Sequence, residues 1–166
     1  MYSKGHFGLN LILMSAILWG FPLTFETVFL IFFSAGLATF PDRDIKWQRM
    51  GVPVKHRGFT HSLFFAVIIG LCLSFVYGYG QNSDKWGNLG FLAGFMGIIG
   101  HMIGDLITHH KFKFFYPVSH RSFGGWGLTS ASNKFVNEGL FKLGITFFVL
   151  YVLNGFGVIG ELLSLL

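Results

Sequence analysis

Gly58 to Ser83 reads GFTHSLFFAVIIGLCLSFVYGYGQNS, 26 consecutive residues without an Asp, Glu, Lys or Arg. A helix that crosses a bilayer needs about 20 apolar residues, so this stretch by itself points to a membrane. Two later intervals agree, Trp86–Gly104 with 19 uncharged residues and Leu143–Gly160 with 18. Together they predict spans over about 60–80, 87–108 and 135–157. Nearer the N-terminus, Phe7–Phe25 and Thr27–Pro41 are also free of charge, with Glu26 between them. The 35 residues from His6 to Phe40 are too many for one helix and slightly few for two. Gly20-Phe21-Pro22 supplies a break, because Pro opens a helix well and Gly permits the turn before it. Two short helices over about 6–19 and 22–39 follow, with shallow insertion as the alternative. The expected fold is all-α: a polytopic membrane helical bundle of about five transmembrane helices, forming a single integral membrane domain over residues 1–166.

Composition excludes the other classes. Of 166 residues, 52% are hydrophobic and 11% charged, against about 25% charged in a soluble domain. A soluble core of this size cannot hide so much apolar surface. Abundant Phe rules out disorder, and the lone Cys72 rules out an intrachain disulfide.

Basic residues set the orientation. With five crossings, one side carries Lys4, the loop with Arg43, Lys46, Arg49, Lys55 and Arg57, and the loop with Lys111, Lys113, Arg121 and Lys134. The other side holds only Lys85. Such a bias places the N-terminus and both long loops in the cytoplasm, in a multi-pass cytoplasmic (inner) membrane protein. Topology therefore accounts for the basic loops: membrane lipids are the expected partners, and nucleic acid is not expected. Glycines 90, 94, 97, 100 and 104 form a stripe read as close helix packing.

All seven histidines fall at or near that same face. His101 and Asp105 are four apart on one helical face, with Thr108 a turn beyond; ionisable groups in a span are costly and usually face a cavity, a partner or an ion. The pair is either a two-ligand arm for a divalent metal or a buried bond between helices. In Lys55-His56-Arg57-Gly58-Phe59-Thr60-His61-Ser62, Gly58 lets His56 and His61 converge, Thr60 serves as a helix cap, and Arg57 suits an anionic group. Its bland reading is a basic loop touching headgroups. Pro41-Asp42-Arg43-Asp44 holds two carboxylates that either bind an ion or simply end a helix in solvent, and His6 stands at a helix start. Taken together, His6, Asp42, Asp44, His56, His61, His101 and Asp105 form a His and carboxylate set without thiolate, suited to Zn²⁺ or Mn²⁺. Seven ligands exceed the needs of one tetrahedral ion, so two or more ions are expected.

The ordered series Gly5-His6, Pro41-Asp42-x-Asp44, His56-Arg57-Gly58-x-Thr60-His61-Ser62 and His101-x-x-x-Asp105-x-x-Thr108 resembles the YdjM-like (LexA-binding, inner membrane-associated) family of membrane-bound metal-dependent hydrolases. The resemblance implies a prokaryotic inner-membrane protein with a bound divalent metal and hydrolase activity. More distantly, the residues are similar to zinc-dependent phospholipase C, whose ligand arrangement would place His6, Asp42, His56, His101 and Asp105 on metal, with Asp44 and His61 as ligands or acid–base groups. The later His-x-x-x-Glu of those enzymes has no counterpart here, since Glu138 is not spaced from a His in that way.

The expected function is a membrane-embedded hydrolase that uses a multinuclear zinc site on a phosphoester of a lipid or other amphiphile at the cytoplasmic face. Arg57, with Lys55 as a second candidate, would hold the anion, and His61 or Asp44 would move the proton. The competing classes are a regulatory membrane protein with a structural metal and a divalent-cation transporter. His109, His110 and His120, with Lys111, Lys113 and Arg121, lie in a basic, aromatic loop that is either a lid on lipid headgroups or a plain interfacial loop, with His120-Arg121-Ser122 as a candidate contact to the substrate anion.

Overall fold

The computed structural model describes residues 1–164. It is built from helices α1 (Ser3–Ile17), α2 (Phe25–Leu37), α3 (Arg43–Arg49), α4 (Leu63–Gln81), α5 (Asp84–Ile107), α6 (Lys134–Gly155) and α7 (Val158–Leu163). A 3₁₀ turn over Phe59–His61 precedes α4, and strands β1 (Lys111–Phe112) and β2 (Phe123–Gly124) make one short antiparallel ladder. That ladder and the amphipathic α3 are departures from a purely transmembrane reading. Both lie in stretches too short and too charged to carry a span signal.

Three helices, α4, α5 and α6, are long and apolar enough to cross a membrane. The break expected at Gly20–Pro22 is present, but α1 and α2 have only 15 and 13 residues. At 1.5 Å per residue they reach roughly 20 Å, short of a hydrocarbon core of about 30 Å. By length alone, neither crosses unaided.

The lipid-facing sides are what a bilayer solvent permits. Phe64, Leu71 and Phe75 project from α4 at helical spacing with half or more of their surface exposed. In lipid such exposure costs nothing, so helix association depends on close packing of small residues rather than on apolar burial. The central helix is α5: 56% of its most apolar stretch is buried, against 17% for α4 and for α6. A Cβ on Gly90 would lie 2.6 Å from the Leu73 carbonyl oxygen, and one on Gly94 2.7 Å from that of Ile69. The two glycines thus seat α5 against α4. Further along the same helix, Gly97 and Gly100 make room for Leu37 and Asn10, which brings α2 and α1 onto α5. On the opposite side Gly144 of α6 packs against the backbone of Gly8 in α1.

Polar bonds fix the register of these contacts. Asn10, fully buried, donates to the Met96 carbonyl at 2.9 Å and accepts from the Ser34 hydroxyl at 3.1 Å, tying α1, α2 and α5 together. Asn137 of α6 accepts from the Tyr2 backbone N–H at 2.8 Å and donates to the Asn133 carbonyl at 2.7 Å. The start of α4 is capped by Ser62, whose hydroxyl accepts from the Phe65 N–H at 3.1 Å. Thr60, expected as that cap, sits one turn earlier and is used elsewhere. As a result the N-terminal ends of α1 and α4, the C-terminal end of α5 and the α2–α3 connection all meet at one end of the bundle.

Candidate metal centre

At that end, all seven predicted ligands fall in three overlapping groups: His6, His101 and Asp105; Asp42, His61 and His101; and Asp44, His56 and His61. His6, Asp44, His61, His101 and Asp105 are buried, while Asp42 keeps 31% and His56 24% of its side chain exposed. The site is therefore sealed toward the bundle and open beside Asp42 and His56.

Hydrogen bonding sets the imidazole tautomers. Nδ1–H of His101 donates to the Ala38 carbonyl at 2.8 Å, which leaves Nε2 as a bare lone pair. The Thr60 hydroxyl donates to Asp44 Oδ2 at 2.8 Å, so its oxygen accepts from His61 Nδ1–H at 3.0 Å. His61 Nε2 is then bare as well. The two Nε2 atoms face one another at 3.0 Å, an arrangement of like lone pairs that requires a cation between or beside them. Asp42 Oδ1 lies 3.6 Å from the first of these nitrogens (His61) and 3.7 Å from the other. Asp105 Oδ2 stands 3.9 and 3.7 Å from the same two atoms.

These separations suit a tetrahedral ion. Ligand bonds of 2.0–2.1 Å imply ligand–ligand edges of about 3.3–3.4 Å, within the 3.0–3.9 Å range of these five. A shared proton would satisfy only the two nitrogens. It would leave Asp105 Oδ2, buried without a hydrogen-bond partner, and both ring nitrogens of His6, equally unpartnered. Buried polar atoms are nearly always paired, so these orphans favour an ion over a proton. The buried His/Asp groups can hold a divalent metal.

His6 stacks on His101 with ring centroids 3.9 Å apart, and its Nε2 is 3.5 Å from Asp105 Oδ1. Its place exists because residue 104 is Gly: a Cβ there would lie 2.6 Å from His6 Nδ1. Oδ1 of Asp105 also meets the Met1 amino group at 3.1 Å. Thr108 holds the end of α5 by donating to the Asp105 carbonyl at 2.9 Å.

Asp44 has a different environment from the other carboxylates. It accepts from His56 Nδ1–H at 2.7 Å, from the Thr60 hydroxyl and from the Arg57 backbone N–H at 3.2 Å. Burial pushes its carboxyl up, but the bonds from His56 and Thr60 outweigh this and hold it below the usual carboxylate range. For Asp42 burial again opposes ionisation, and contact with His61 and the field of His101 and His6 overcome it, so Asp42 too is held low. Both are ionised at neutral pH, as metal sites require.

Arg57, not Gly58, takes the left-handed backbone conformation of the loop, at φ 59°. A non-glycine residue held there costs of order 1 kcal/mol or more, and the bond to Asp44 is one constraint that holds it. The Arg57 Nε is buried without a hydrogen-bond partner 3.8 Å from Asp105 Oδ2, with about a quarter of the side chain exposed. Among the loop histidines, His110 is pushed down by burial and by the charge of Arg57. His120 packs edge-on to Tyr116, and Glu138 pairs with Lys4 on the exposed side of α6.

The model of the YdjM inner membrane protein family matches residues 1–160. The chain belongs to that family. No curated protein and no solved structure matches it, so the likeness to zinc-dependent phospholipase C rests on ligand types alone. Family membership makes this an inner-membrane chain with apolar helices, and the convergent end just described is where its chemistry-bearing motifs from the sequence meet: the PDxD segment, the HRGxTHS loop and the HxxxD turn of α5.

Three contributors to the site were not assigned to it from sequence. The Ala38 carbonyl has no side-chain signal at all. Gly104 reads as one of a packing stripe, and the Thr60 hydroxyl reads as a cap.

Proposed function

We propose that the chain is a metal-dependent hydrolase of the inner membrane, acting on a phosphoester of an amphiphilic substrate at the cytoplasmic face. The observation that supports this reading is the meeting of His61 Nε2, His101 Nε2, Asp42 Oδ1 and Asp105 Oδ2 at a bundle end that is open on one side. Those four atoms would hold one ion. A second would draw on His6 and Asp105. Nitrogen and oxygen donors without thiolate favour Zn²⁺, with Mn²⁺ as the alternative. Ions bound there supply Lewis-acid chemistry, lowering the pKa of a bound water and neutralising charge on a phosphoester oxygen.

The protein's own groups do the rest. Arg57 reaches from the site to the surface and is positioned to pair with a phosphoryl oxygen. Asp44, hydrogen-bonded on both oxygens, fixes His56 in one tautomer and, through Thr60, orients His61. His56 thereby keeps a free Nε2 at the open side, suited to carry a proton. The ten-to-one distribution of basic residues supports a multi-pass topology with the N-terminus and this end of the bundle in the cytoplasm. Substrate would enter from the leaflet. Passage of ions across the bilayer is disfavoured by the apolar far halves of the helices.

The test is turnover. Purified protein loaded with Zn²⁺ or Mn²⁺ is presented with anionic and zwitterionic phospholipids, and headgroup or phosphate release is followed. Release that is abolished by chelation and by Asp42→Asn, and falls about 100-fold in Arg57→Ala, is the expected result. A tightly bound ion without turnover of any phospholipid would mean that the metal is structural and the protein regulatory.

A further inference from the structure

A cavity of about 880 Å³ lies beside the metal centre at the same end of the bundle. Its wall is aromatic: Phe40 stacks on Phe65 with centroids 6.1 Å apart and meets Trp47 edge-on at 5.5 Å, and Phe59 closes on Phe65 at 5.2 Å. Ile69 continues this wall along α4 into the spanning region. The charged side chains that border it are basic, Lys55 and Lys113, joined by His120, and no Asp or Glu is among its described lining residues. Lys55 and His120 are exposed, as are Val52, Pro53 and Phe59, so the mouth has a basic and an apolar rim. The size is that of a small-molecule site, and its apolar wall with a few polar groups at one end is the usual makeup of one.

The cavity and the metal centre share one loop. Lys55, Gly58 and Phe59 border the cavity, whereas His56, Arg57 and His61 belong to the ion site. Thr60 serves both, bordering the cavity while its hydroxyl joins Asp44 to His61. Phe40 likewise lies two residues before Asp42.

We propose that this cavity binds the apolar chain of an anionic amphiphile, with its head held by Lys55 and Lys113 next to the metal centre. A basic mouth without carboxylates selects an anionic head over a zwitterionic one, and an aromatic wall opening along α4 admits a chain from the leaflet. That the occupant is also the substrate rests on the hydrolytic reading above; its binding does not.

Trp47 reports occupancy directly. The full chain in detergent, kept in chelator so that no turnover contributes, is titrated with chain-brominated lysophosphatidic acid, brominated stearate or brominated lysophosphatidylcholine. Trp47 emission is taken as the difference from Trp47→Phe, which removes one of four tryptophans. Saturable quenching by the phosphate-headed or the carboxylate-headed probe is expected, at a concentration about 10-fold lower than for the phosphocholine probe. The same ratio should be lost when Lys55→Ala and Lys113→Ala are combined. Which of the two anionic probes saturates first identifies the head. Equal or unsaturable quenching by all three probes, or saturation indifferent to both lysines, overturns the proposal. Saturable anionic quenching in a protein that turns over no phospholipid would overturn the hydrolytic reading and leave this one standing.

Discussion

Replacing Thr60 with Val removes a single hydroxyl at nearly constant shape, and that hydroxyl is the link through which Asp44 acts on His61. It donates to Asp44 Oδ2 at 2.8 Å and accepts from His61 Nδ1 at 3.0 Å. Without it, Asp44 keeps its bonds from His56 and Arg57, but His61 Nδ1–H has only Asp44 Oδ2 at 3.5 Å to turn to. A hydrogen bond to a charged group is worth about 1.5–3 kcal/mol. Loss of an outer partner of a metal-ligating His costs roughly 10–100-fold in affinity, about 1.4–2.8 kcal/mol at 1.4 kcal/mol per tenfold. The two estimates agree, so Thr60→Val should bind Zn²⁺ roughly 10–100-fold more weakly. Competition against a chromophoric chelator measures this in purified protein. Thr60→Ser, which restores the hydroxyl, should bind like the parent. Unchanged affinity in Thr60→Val, or equal weakening in Thr60→Ser, would refute the tautomer argument for His61.

Other perturbations follow from the same geometry. Gly104→Ala places a methyl 2.6 Å from His6 Nδ1, so the ring must leave its stack on His101; overpacking of about 1–3 kcal/mol should appear as a lower Tm together with weaker metal binding. Asn10→Leu strands the Ser34 hydroxyl and the Met96 carbonyl, and should destabilise the fold by about 1–3 kcal/mol in denaturation, whether or not metal is present. Metal retention should fail as acidification takes the pH below the ordinary His value near 6.5, because protons compete for the imidazole donors. Asp42 and Asp44 are held below the ordinary 3.8. Their contribution to stability is therefore complete above that value and is lost only as pH falls below it. Metal release should thus precede unfolding in a pH titration followed by both readouts.

Uncharged runs and the His and Asp motifs made the helical membrane character readable, because a bilayer imposes length and polarity rules that hold without tertiary context. The three long helices lie within a few residues of their expected ranges. The first two segments were less readable: their break at Gly20–Pro22 is local, but whether 15 and 13 residues cross depends on neighbours. Likewise, side-chain chemistry nominates His101 and Asp105, while the roles within the site depend on partners far away in sequence. Asp42 and Asp44 look equivalent two residues apart. Yet Asp42, at the start of α3, makes no side-chain cap bond and turns its carboxylate to His61 and His101, whereas Asp44 spends both oxygens on His56, Arg57 and Thr60. No local pattern distinguishes them. The Ala38 carbonyl that sets the His101 tautomer, 63 residues away, is visible only in three dimensions.

Elemental analysis of the purified protein, repeated on His101→Ala, addresses the convergence of donors from four segments most directly. The parent chain should carry at least one tightly held divalent ion, and the variant should lose most of it while remaining monodisperse and helical. An ion content unaffected by the loss of that imidazole, or a parent that holds no ion even when supplied with Zn²⁺ and Mn²⁺, would contradict the account.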